Sequence, residues 1–350
     1  MRAHSASKKQ VIRITWQLYN KLHSLVSHCQ PILPFEKNFA NLAINIFHGP
    51  KASIFLKILQ YIFLYPILIA ISLLPFRVLY FLSDFIYFLG YKLFKYRVKM
   101  VTDNMTVSLP EKSENEIKSI VQQFYRNFFD ITLESIKLLT ISSKEIRTRM
   151  RKGDMQVLED YKKQEESVIL AIGHVGNWEL GAAAYAIGNY PHVKGVYKPQ
   201  TNQFFDELMI RIRTRFGGEV YPMDDTLDRM RENMGNQTAI GLLADHNPSS
   251  HTAYWHHFLG RETPVFTSVE MLARRFDFPV VYLRFIRLGR GRYEMNCEIL
   301  AAKPKETKKH YITHTYFRML EEDIYKQPDN YLWTHNRWKR KKEDLEKANK

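Results

Sequence analysis

An α/β fold, a mixed sheet flanked by helices and preceded by an N-terminal membrane-anchoring helix, is predicted by three features of the sequence. Short apolar β-like runs alternate with helical patterns from about residue 113 onward. One uncharged apolar run, Ile58–Pro75, stands ahead of them. The 45% hydrophobic and 13% aromatic content over 350 residues is enough to bury a substantial core, which excludes a disordered chain. The balance of 51 Lys+Arg against 36 Asp+Glu gives a formal charge of +15. That charge favours anionic partners: nucleic acid, a phosphorylated small molecule, an anionic membrane surface or an acidic protein. Cys29 and Cys297 are the only cysteines, so there is no disulfide framework and no paired-cysteine zinc site.

In chain order, residues 1–57 read as an N-terminal extension of unassigned role, and Met1–Gln30 lacks an apolar stretch long enough for a signal peptide. Residues 58–99 are expected to form a membrane anchor and an interfacial helix. As a helix, Ile58–Pro75 would extend about 27 Å, close to the ~30 Å hydrocarbon core; a buried core helix is the alternative. Val78–Tyr91 mixes aromatic and aliphatic residues with Asp84 and leads into Lys92, Lys95, Arg97 and Lys99, the pattern of an interfacial helix with a basic end. The excess of cations there places that side of the run in the cytoplasm.

Residues 100–341 are expected to form the main domain and 342–350 a charged tail. Residues 113–149 space their apolar residues helically and open with Ser113 and Glu116 in a capping-box pattern. Ser167–Gly173 (SVILAIG) reads as a strand ending in glycine, followed by a tight turn through His174–Glu179 and a small-residue helix. Further strands are expected at 193–197, 238–245 and 278–286, helices at 202–215 and 265–276, and antiparallel additions around 293–301.

His174 and Glu179 carry the strongest chemical signal. They lie at the carboxyl end of a strand, where ligands gather in open α/β sheets. A histidine there can serve as a general base at neutral pH. A carboxylate five residues on could return to the ring and hold its tautomer. The structural alternative has His174 capping the strand and Glu179 answering the helix dipole. The sequence has no G-x-S-x-G elbow, phosphate-binding P-loop, G-x-G-x-x-G or H-E-x-x-H motif. With no evident enzyme nucleophile, the substrate is expected to supply one, most simply a hydroxyl. His310 and His314 have i,i+4 spacing but no third ligand nearby. Neither they nor His256 and His257 read as a metal site.

GHVGNWELGAAA, residues 173–184, resembles the H-x4-[DE] block of membrane glycerolipid-type acyltransferases. It has the H-x4-E form of the lipid A biosynthesis late acyltransferases, the lauroyl and myristoyl transferases of Gram-negative bacteria. Four further blocks agree in order. Val196–Asn202 (VYKPQTN) resembles V-Y-R-P-x-x-N, and Arg213–Gly217 resembles R-x-x-x-G. Leu243–Asp245, followed by Phe258–Gly260 and by Thr263 and Pro264, resembles A-D-Q with F-x-G-x-x-[AT]. Tyr331–Lys339 (YLWTHNRWK) resembles the closing Y-x-W-x-H-R-R-W-K. The resemblance covers about Ile58 to Lys341. It departs at Lys198, where Arg is usual, at His246, where Gln is usual, and at Asn336, where the first of two arginines is common.

The resemblance implies a glycerolipid acyltransferase-like fold with residues 100–341 as the acyltransferase domain. It implies transfer of a fatty acyl chain from acyl carrier protein, as a thioester, to a hydroxyl of a lipid A precursor at the cytoplasmic face of the inner membrane. His174 would be the base and Glu179 its orienting partner, with Asp245 a second candidate for that task. Arg213 and Lys198 would hold acceptor phosphate or the developing oxyanion. Asn202 and Arg337 complete the substrate-binding candidates, with turn and core-closing roles as their alternatives. No metal or other cofactor and no nucleic acid is expected; the partners are the carrier protein, the anionic glycolipid and the bilayer. The alternatives are an acyltransferase for another membrane amphiphile, such as a mannosylated inositol lipid or an amino-acid lipid, and a non-enzymatic, membrane-tethered basic binding protein.

Overall fold

The computed structural model describes residues 57–232, 234–248 and 253–339, so the N-terminal extension up to residue 56 and the charged tail lie outside the described residues. The chain divides into units at 1–59 and 60–350, and the following account concerns the second.

A helical layer comes first: α1 (Tyr65–Leu73), α2 (Phe76–Tyr87), α3 (Val98–Ser108), α4 (Glu114–Lys137) and α5 (Ser143–Arg149). The expected capping box opens α4: the Ser113 hydroxyl accepts from the Glu116 amide, and the Glu116 carboxylate accepts from the Ser113 amide at 2.9 Å. The buried face of α4 carries Ile117, Val121, Phe124 and Leu133.

The membrane-crossing helix expected at Ile58–Pro75 is not supported by the structure. Among the described residues no helix is long and apolar enough to cross a membrane. Residues Gln60–Leu64 are wound as a π-helix, and α1 stops at Leu74, whose extended ψ of 139° is what the proline at 75 imposes on the residue before it. The end of α1 is then tied to α4. The Lys137 ammonium donates to the carbonyls of Ser72 at 2.8 Å and Leu74 at 2.9 Å, and the Thr140 hydroxyl donates to Ser72 as well. The next helix, α2, is amphipathic. Phe76, Leu79, Ser83 and Tyr87 are buried, while Val78, Phe81, Phe85 and Phe88 form an exposed apolar stripe at helical spacing.

Seven strands form the main sheet: β1 (Met150–Lys152), β2 (Val168–Ile172), β3 (His192–Tyr197), β4 (Glu219–Pro222), β5 (Thr238–Leu243), and, after a separate hairpin of β6 (Tyr254–Phe258) and β7 (Arg261–Val265), β8 (Val280–Gly289) and β9 (Arg292–Ala301). Their order is β1-β9-β8-β2-β5-β3-β4. Only β8 and β9 pair antiparallel, the addition expected around 293–301; the other neighbours are parallel. The sheet is therefore mixed and flanked by helices, as predicted.

The helices between strands include α6 (Gln156–Lys163), α7 (Trp178–Ala186), α8 (Gln203–Thr214), α9 (Thr226–Glu232) and α10 (Ser268–Phe276), and α11 (Tyr311–Lys326) follows β9. Two large apolar clusters occupy the interior. Near-continuous burial of β2 and β5 marks them as central parallel strands covered on both faces.

Candidate active site

Strand register builds the site. Ile172 pairs with Leu243 at the carboxyl ends of β2 and β5. Two residues beyond each partner stand His174 and Asp245, whose Nδ1 and Oδ1 are 2.6 Å apart. An ionised carboxylate only accepts hydrogen bonds, so Nδ1 carries the proton and Nε2 is left with its lone pair. Nε2 makes no hydrogen bond among the described residues and is not sealed from solvent.

The loop that carries His174 is pinned along its backbone. The Gly176 amide donates to the Asn330 carbonyl at 2.8 Å, and Leu332 donates to the His174 carbonyl at 3.0 Å. Gly176 sits at φ +65°, and a Cβ there would stand 3.0 Å from the Phe285 carbonyl oxygen, so glycine answers both the conformation and the space. Asn177 caps α7 by accepting from the Leu180 amide at 2.9 Å, and its own amide donates to the buried carboxylate of Glu134 at 2.7 Å.

Asp245 is completely buried. Burial alone would raise the pKa of its carboxyl, but the His174 ring and the Arg337 guanidinium outweigh that and hold it well below the usual carboxylate range. Arg337, 2% exposed, donates to the second carboxylate oxygen at 3.1 Å. Arg337 is thus buried against the Asp245 carboxylate, the placement that its core-closing alternative describes.

The expected pairing of Glu179 with His174 is not the one the structure forms. Glu179 sits in the first turn of α7 and turns away from His174 to meet Arg213 of α8, which donates through Nε at 3.0 Å and a terminal nitrogen at 2.6 Å. Such a bidentate pair fixes the guanidinium plane. Burial would lower the pKa of Arg213, but Glu179 dominates and raises it. Asn202 is the cap of α8, its side-chain oxygen accepting from the amides of Phe204 at 3.0 Å and Phe205 at 3.4 Å, so its turn role is the one realised. Lys198 is exposed on the loop after β3, with no ion pair among the described residues.

Several residues here escaped the sequence reading. Asn177 lies in the turn ahead of α7, and Glu134 is a polar residue inside an otherwise ordinary helical pattern. His246 was noted only as a departure from the family pattern, yet its ring stacks on His174 with centroids 4.1 Å apart. Away from this site, His314 shares a hydrogen bond with the Tyr254 hydroxyl, Nε2 to oxygen 2.7 Å, and His256 stacks on it.

An apolar cavity opens beside the dyad, between α7 and the sheet. Leu170 and Ile172 of β2, Leu243 of β5 and Phe285 of β8 line it, with Glu179 and Arg213 among its polar residues. Gly241 and Gly195 are register partners on adjacent strands, and together they leave the sheet surface bare beneath Ala182 of α7. Trp178 lines the cavity and meets His174 edge-to-face at 4.9 Å.

The class this describes is an α/β enzyme with a histidine–aspartate dyad on the carboxyl edge of its sheet, next to an apolar cavity. A sequence profile of the bacterial lipid A biosynthesis acyltransferases matches residues 50–340, and the chain belongs to that family. It is an acyltransferase of lipid A biosynthesis. It is similar to the lipid A biosynthesis lauroyltransferase of Escherichia coli strain K12, with 24% identity over 78% of this chain and 89% of that protein. The myristoyltransferase of the same strain is 23% identical over 35% of this chain and 38% of that protein. A lipid A biosynthesis acyltransferase of Haemophilus influenzae is 20% identical over 70% and 76%. The family resemblance read from the five sequence blocks is thereby borne out.

Proposed function

We propose that the protein moves a fatty acyl chain from an acyl carrier protein thioester to a hydroxyl of a lipid A precursor, with His174 as general base. The observation that carries this reading is the dyad itself: Asp245 holds the proton on Nδ1 and so leaves Nε2 free to accept one. Nε2 takes the acceptor hydroxyl proton as that oxygen attacks the thioester carbonyl carbon. The carbon–sulfur bond then breaks, and the proton passes from Nε2 to the departing thiolate, which leaves as a thiol. Asp245 steadies the imidazolium between those steps, and Arg337 balances Asp245.

The apolar cavity over Gly195 and Gly241, about 80 Å³, has room for a part of the acyl chain rather than its whole tail, and Arg213, held by Glu179, suits an anionic group of the acceptor. Lys198, exposed after β3, is a further cation for that acceptor. The exposed stripe of Val78, Phe81, Phe85 and Phe88 is the surface assigned to the bilayer, lying in the interface on the cytoplasmic side of the inner membrane. This replaces the crossing helix with a peripheral contact, and the net charge of +15 fits an acidic donor and an anionic membrane.

The test is acyl transfer by the purified full chain in detergent, with acyl carrier protein thioester and a lipid A precursor, read by mass spectrometry of the lipid. A product heavier by one acyl chain, absent with His174→Ala, is the expected result. Transfer that proceeds only from a different acyl donor would overturn the donor assignment.

A further inference from the structure

The catalytic imidazole is one of a stack of three. His246, the residue after Asp245, lies on His174 with centroids 4.1 Å apart and planes 2° from parallel, and His335 lies on His246 at 4.3 Å and 17°. Neither added ring makes a side-chain hydrogen bond among the described residues, and the Nε2 atoms of both are buried without a partner. Buried polar atoms are ordinarily paired. What these rings present along the stack is their flat faces. Asp245 grips His174 at one atom, which fixes the Nδ1 edge but leaves the ring able to swing about the line joining it to the carboxylate. Parallel contact over the whole face removes that freedom.

We infer that His246, backed by His335, is a positioning residue that fixes the plane of the His174 ring and with it the direction of the Nε2 lone pair. The inference rests on His174 being the general base. Electrostatics agrees. Burial, then the nearby His174, His335 and Arg337, lower His246 to about 3 against the opposing pull of Asp245. Burial, then Arg337, with His174 and Arg97 adding to it, lowers His335 to about 4 against Asp245. Both rings are thus neutral at physiological pH, and a neutral face does not repel the imidazolium that His174 becomes during transfer.

The experiment measures kcat and KM of the full chain for His246→Ala, His246→Phe, His246→Gln and His174→Ala, with thermal melting to check the fold. Loss of the flat face in His246→Ala is expected to lower kcat about 10-fold, with KM held within about twofold, since a small misdirection of a catalytic group costs rate rather than binding. His246→Phe restores a flat ring and is expected to recover kcat to within about threefold. If Phe does not fold in the space, Gln supplies a flat amide and is held to the same expectation. Full kcat in His246→Ala while His174→Ala is inactive would overturn the positioning role alone. Folded Phe and Gln variants as slow as Ala would also overturn it. An active His174→Ala would instead remove the general-base reading on which the inference stands.

Discussion

Two buried acids, Asp245 at the strand ends and Glu134 in the last turn of α4, show how similar burial serves different ends. Both are nearly or fully removed from solvent. The neighbours of Asp245 are His174 and Arg337, which favour its charge and lower its pKa despite burial. Those of Glu134 are hydroxyls and an amide: Tyr80 at 2.9 Å, Tyr293 at 2.8 Å and Asn177 at 2.7 Å. Burial outweighs these neutral donors and raises its pKa. The first cluster ends in an open Nε2 and can do chemistry. The second ties α2, α4, β9 and the turn ahead of α7 together and has no free edge. A third acid, Asp130, follows the second pattern with cations, bound by Ser83, Arg287 and Arg290. Of these buried carboxylates, Asp245 is the one whose chain of partners ends at the open Nε2 of His174, the atom proposed as the base.

The comparison breaks at once if the reactive edge is not reactive. His174→Ala is expected to lower the transfer rate by about 100- to 10,000-fold while the melting temperature stays near that of the parent. A folded variant retaining more than about a tenth of the parental rate would show that the base lies elsewhere.

Asp245→Asn should come next. An amide can donate to Nδ1 and so favour the wrong tautomer, and it leaves Arg337 without a carboxylate; a fall of about 100-fold or more is expected in kcat. The pH–stability profile sharpens the contrast. The folded pKa of Asp245 is depressed, so its stabilising contribution is present above the unfolded value and is lost as pH falls through the folded one, below about pH 4. The asparagine variant should lack that acid-side loss, as measured by denaturant unfolding.

Glu179→Gln tests the pair that does not touch the dyad. Its loss frees Arg213 from a fixed plane, so KM for the acceptor is expected to rise, with kcat/KM down roughly 10-fold and kcat little changed. Equal loss of kcat in Glu179→Gln and His174→Ala would place Glu179 in the chemical step.

The smallest effect belongs to Glu134→Gln, where the rate is expected to stay within about threefold because the amide can still bond both tyrosines and Asn177. Its folded pKa is raised, so the parent loses stability as pH climbs above the unfolded value of about 4.5 toward the folded one. The variant should show a flatter curve across that rise. Unfolding curves of parent and variant that stay parallel from pH 5 to 8 would contradict this account of Glu134.

Local patterns carried much of this in the sequence itself. The strands at 167–173, 193–197, 238–245 and 278–286, the helices between them and the Ser113–Glu116 cap depend on residues within a turn or a strand of one another, and their periodicity is printed in the chain. His174 was legible as well, because a strand, a glycine and a small-residue helix surround it, and the family was legible from five ordered blocks. What the tertiary structure alone decided is which of two carboxylates meets His174. Glu179 is nearer in sequence, but α7 begins at Trp178 and carries it toward Arg213. Asp245, 71 positions away, is brought level with His174 by the register of β2 against β5. The same holds for Arg337 behind Asp245, for the stacked rings of His246 and His335, and for the contacts of Lys137 and Thr140 with the end of α1. Hydropathy describes the composition of that apolar run and Pro75 ends its helix locally, whereas the groups that meet its last carbonyls, Lys137 and Thr140, come from α4 and the turn that follows it.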